Sequence, residues 1–111
     1  MSVFKKHGAH AFACDLDLAE LLTKLESLGP WSWKTRDSYY WGDYLSAKAS
    51  DDASRKVRIY ERDEGGFQID VFFEGKGDDA ESTWEAFYQD ILDRLLPGVG
   101  ATDVEDTEPM N

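Results

Sequence analysis

Lys56-Val57-Arg58-Ile59-Tyr60-Glu61-Arg62, then Asp63-Glu64-Gly65-Gly66, then Phe67-Gln68-Ile69-Asp70-Val71-Phe72-Phe73-Glu74: the reading of this stretch decides the fold. Both arms alternate with a period of two, the signature of half-buried strands. The two glycines between them can take positive φ without a Cβ clash, as a short bulged hairpin loop requires. Keeping the apolar set on one face pairs Val57 with Val71, Ile59 with Ile69 and Glu61 with Phe67. The other face then sets Arg58 opposite Asp70 and Tyr60 opposite Gln68. On this reading Arg58 and Asp70 form an exposed ion pair contributing about 0 to 1 kcal/mol.

The apolar face of the hairpin needs a cover, and the flanks supply it. Upstream, Leu18, Leu21, Leu22, Leu25 and Leu28 recur at three- and four-residue spacing and predict a helix. Asp17 and Glu20 form its capping box and Gly29-Pro30 stops it. Downstream, Trp84, Phe87, Tyr88, Ile91, Leu92 and Leu95 share one side of a second helix that ends at Pro97-Gly98. Ahead of the first helix, 1–8 reads as a loose lead-in and Ala9–Asp15 as a strand. Trp31–Arg36 and a segment reaching Ala49 make two more strands, with a turn at Asp37-Ser38, a bend at Gly42 and a polar loop over 50–55. A last strand is expected over Val99–Val104.

The fold class is therefore α+β: a mostly antiparallel sheet of five strands, with a candidate sixth, and two helices packed on one face, in the order β-α-β-β-β-β-α-(β). One domain spans 1–104, and 105–111 reads as an acidic, mobile tail. At 111 residues and 41% hydrophobic content, the chain can build one core.

The net charge is -11. Residues 1 to 69 carry a balance of only -1, whereas 70 to 111 carry -10. Such a field repels nucleic acid and anionic membrane and speeds encounter with a basic protein. The sequence thus points to a non-catalytic acidic module docking on a basic partner, as an immunity protein or an inhibitor of a nuclease-like toxin would. Asp78, Asp79, Glu81, Glu85, Asp90 and Asp93 are the candidate contacts. The alternative is a small-ligand or peptide-binding module built on the aromatic segment 31–44. Its candidate residues are Trp31, Trp33, Tyr40, Trp41 and Tyr44, joined by Tyr60 and Phe72 on the sheet face. That open face could also seat a second copy of the chain.

Catalytic chemistry finds no motif. Gly75-Lys76-Gly77-Asp78-Asp79-Ala80 matches a dinucleotide fingerprint formally, but Asp78, Asp79 and Glu81 put negative charge where a pyrophosphate would sit, and a hairpin is no βαβ unit. His10 and Cys14 share a strand face but are spaced about 13 Å apart, too far to bind one metal ion. No enzyme, cofactor or metal is expected. A lone Cys14 and the lack of an apolar span or leader predict a cytoplasmic protein.

Overall fold

The computed structural model describes residues 3–28, 32–38, 42–49, 52–62 and 65–107. Eight elements run β1 (Val3–Ala13), α1 (Leu18–Ser27), β2 (Ser32–Ser38), β3 (Gly42–Ala49), β4 (Asp52–Glu61), β5 (Phe67–Lys76), α2 (Ala80–Gly98) and β6 (Thr102–Asp106). The strands form one antiparallel sheet in the order β2-β3-β4-β5-β1-β6. The α+β class and the element order are those expected, and the sixth strand is present.

The β4–β5 register is the one that the apolar alternation dictates: Val57 faces Val71, Ile59 faces Ile69, Arg58 faces Asp70 and Tyr60 faces Gln68. Its loop holds Gly65 and Gly66 at φ +100 and +77. A Cβ on Gly66 would also stand 2.8 Å from the Phe12 carbonyl oxygen, so this glycine fills two requirements at once. Val57, Ile59, Ile69, Val71 and Phe73 then present one apolar face. Leu21 and Leu25 of α1 and Trp84, Ile91 and Leu95 of α2 pack on it, with Leu45 and Trp33 continuing the core across β3 and β2. Asp17 accepts from the Glu20 amide at 2.8 Å while the Glu20 carboxylate accepts from the Asp17 amide at 3.1 Å, closing the capping box of α1.

Several boundaries move. β1 begins at Val3, so the supposed lead-in is strand. It lies between β5 and β6, and the ladder that pairs Val3 with Lys76 and Phe12 with Phe67 overrides the weak local pattern around Lys5 and Lys6. β1 also stops at Ala13, short of Asp15. β2 runs through Asp37 and Ser38, where a turn was expected, because both pair with β3. β4 starts at Asp52 within the expected polar loop, since its ladder to β3 continues past a bulge near Ala49. β6 is shifted to Thr102–Asp106, paired with β1, while Val99 is buried as the C-cap of α2. Gly29 and Pro30 lie outside the described residues; α1 ends at Ser27, with Leu28 as its C-cap.

Candidate functional site

Both helices occupy one side of the sheet, which leaves the other side without a helix over it. Alternation and register place Lys5 and His7 of β1, Lys34 and Arg36 of β2, Tyr44 of β3, Lys56, Arg58 and Tyr60 of β4, and Gln68, Asp70, Phe72 and Glu74 of β5 on this helix-free face. Ring contacts bind it together across four strands. His7 lies 3.8 Å from the Phe72 ring centre. The Arg58 guanidinium sits 5.0 Å above Phe72 and 5.9 Å above Tyr44, and Tyr44 is 5.1 Å from Tyr60. Each cation over a ring gains about 0.5 to 1 kcal/mol and loses part of its freedom, so Arg58 is held ready.

Beneath this layer lies Asp70, with 0% of its surface exposed. The expected exposed Arg58–Asp70 pair is therefore corrected: a short carboxylate between longer neighbours is roofed by them, even on a sheet side that no helix covers. Gln68 Nε2 donates to Asp70 Oδ1 at 2.8 Å. His7 Nε2 stands 3.4 Å from Asp70 Oδ2, but its geometry makes no hydrogen bond there. Burial pushes the His7 pKa below its ordinary value of 6.5, and the nearby Asp70 carboxylate only partly opposes this. Burial likewise raises the Tyr60 hydroxyl, against the pull of Arg58. A groove of about 430 Å³ opens beside the cluster, lined among others by Lys5, His7, Lys56, Arg58, Phe72 and Glu74. A hollow of about 570 Å³ elsewhere takes its charge from Asp17, Asp43, Glu61 and Arg62, an acidic balance.

The residues singled out from sequence separate. Tyr44, Tyr60 and Phe72 come together on the helix-free face. Trp33 is buried on the helix-bearing face, so segment 31–44 does not line one pocket. Trp31, Tyr40 and Trp41 lie outside the described residues. Asp78, Asp79, Glu81, Glu85, Asp90 and Asp93 are all exposed, on α2 or the turn leading into it. Two of them have local partners: Asp90 pairs with Arg94 at 2.9 Å, and Asp93 accepts from Gln89 at 2.9 Å. His7, Lys5, Lys34 and Arg36 were missed as site members, and Asp70 was placed on this face but expected to be exposed. A β1 read from Val3 and set against β5 reveals His7 and Lys5.

A second cluster joins β1, α2 and β6. Tyr88 Oη is 2.6 Å from His10 Nδ1, and His10 Nε2 is 2.7 Å from Asp106 Oδ1. A neutral His10 protonated on Nε2 donates to Asp106 and accepts from Tyr88. Burial first, then the charges of Asp106 and Asp70, push the Tyr88 hydroxyl well above its usual range, so it stays a proton donor. With Asp106 93% exposed, this chain of contacts reads as a clamp on β6. Cys14 donates to the Val99 carbonyl at 3.2 Å. Among the described residues no three groups gather to hold a metal, and no helix is long and apolar enough to cross a membrane. By sequence, the chain matches no family model and no curated protein.

Proposed function

We propose that the protein is a binding module whose helix-free sheet face receives an acidic partner. The observation that carries this reading is the gathering of Lys5, Lys34, Arg36, Lys56 and Arg58 on one face of a chain with net charge -11. The cylinder of α2 is itself about 10 Å across. Physiological salt screens charge over ~8 Å, so the acids on its outer surface weigh little at the sheet face. An acidic segment would meet the Arg58 guanidinium held over rings, with lysines and Arg36 around it, a surface that gives orientation and fast encounter. The same charge opposes a two-fold dimer through this face, which would set cation against cation.

A second reading keeps the basic partner, docked on the outer side of α2. Its support is that Asp78, Asp79, Glu81 and Glu85 are exposed and form no ion pair among the described residues. Titration with polyglutamate and with polylysine separates the two. Under the first reading the chain binds polyglutamate, and K34E/R36E weakens that binding about tenfold or more, while E81K/E85K does not. If the wild-type chain does not bind polyglutamate at low salt, the first reading fails. Polylysine binding that only E81K/E85K removes favours the second.

A further inference from the structure

We infer that the groove at the Lys5 end of the helix-free face is a binding site for a phosphate monoester. The inference rests on the reading that this face receives anions, and it names the chemistry of one of them.

The groove brings ammonium groups from two strands, Lys5 of β1 and Lys56 of β4, to either side of Phe72 on β5, with Arg58 stacked over that ring. The Phe72 ring already contacts His7 and Arg58, so the site offers hydrogen-bond donors rather than an open platform for a nucleobase. Charge matching selects the ligand further. Among the residues that line the groove, Lys5, Lys6, Lys56 and Arg58 oppose Glu74 and the buried Asp70 beneath it, which leaves two surplus positive charges while His7 is neutral. A bound dianion matches that surplus and by its own negative charge favours a proton on His7, whereas a carboxylate leaves one of the two charges unmatched. A volume of about 430 Å³ exceeds what a bare oxyanion fills and leaves room for the organic group of an ester. The groups that set the His7 proton come from every neighbouring strand: Lys5 on β1, Asp70 and Glu74 on β5, and Lys56, Arg58 and Tyr60 on β4.

Calorimetric titration of the whole chain with inorganic phosphate, sulfate and acetate tests the site. Sulfate remains a dianion at all the pH values used, so its pH dependence reports the protein alone. The expected results are binding of phosphate and sulfate but not acetate, a loss of about tenfold or more in K56Q, and no change in K24Q on α1. Sulfate affinity should rise as pH falls from about 8 to 5.5 in the wild type, with proton uptake on binding, and that slope should flatten in H7Q. Far-ultraviolet circular dichroism establishes that each variant is folded. Equal weak binding of all three anions, or sulfate binding indifferent to K56Q, overturns the inference. If polyglutamate still binds in that case, the phosphate site alone falls. If it does not, the docking reading falls as well.

Discussion

Asp70 is flanked along its strand by Gln68 and Phe72 and across the sheet by Ala9 and Arg58, and these neighbours exclude water from it completely. Period-two alternation says which side of a sheet a residue is on. It does not say how dry that side is, because dryness depends on whether long side chains lie down over short ones. That is why the side of Asp70 was legible from the sequence and its burial was not. Asp70→Asn keeps one oxygen as acceptor for Gln68 but removes the charge facing Arg58 and turns an amide group toward His7. The expected cost is about 1 to 3 kcal/mol, which is a drop of roughly 4 °C or more in melting temperature for a domain of this size. Ile69→Asp places an unpaired carboxylate in the core and should prevent folding outright. Thermal melts compare the two. An Asp70→Asn protein that melts with the wild type would show that the carboxylate is not part of a tight network.

At the level of elements, the hairpin and both helices could be read from spacing and caps, whereas β1 could be read only in part. The reason is visible at Gly8, where the strand gives up a side chain to α2. A Cβ there would fall 2.7 Å from the Tyr88 ring, and Tyr88 itself stacks on Trp84 and reaches His10. A glycine followed by small residues has little strand propensity of its own, so tertiary contact decides the matter. Gly8→Ala should force the tip of the Tyr88 ring aside and away from His10, at a cost of about 1 to 3 kcal/mol. Tyr88→Phe should cost about 1 kcal/mol and speed amide exchange in β6, whose five residues are all exposed. Because the Gly8 clash is with the Tyr88 ring, Tyr88→Ala should relieve much of it, and a double-mutant cycle should show strong non-additivity. Additive costs would mean that the contact does not govern where the Tyr88 ring sits.

For the whole molecule, counting charge by chain half conceals what matters, because β-strands deliver alternate residues to opposite sides. Lys34, Arg36, Lys56 and Arg58 are spread along the first two-thirds of the sequence among acids, and only the sheet order gathers them. The site was legible as aromatic and cationic residues on one hairpin, but its extension over β1 and β2 needed the register. The same sheet order governs how the chain must fold as it is made. β2 to β5 are neighbours both in sequence and in space, so this meander can zip up as it is synthesised. β1 precedes the meander in the chain, yet it bonds to β5 on one side and to β6, which follows α2, on the other. β1 must therefore wait until the whole meander has been made. Until it docks, β5 keeps an open edge. Ile59→Val, inside the meander, should slow folding in stopped-flow experiments, whereas Phe12→Leu, in β1, should chiefly speed unfolding. The reverse assignment would mean that the long-range closure forms first. On the expected order, the newly made chain is most exposed to strand-to-strand aggregation in the interval between completing β5 and capturing β1.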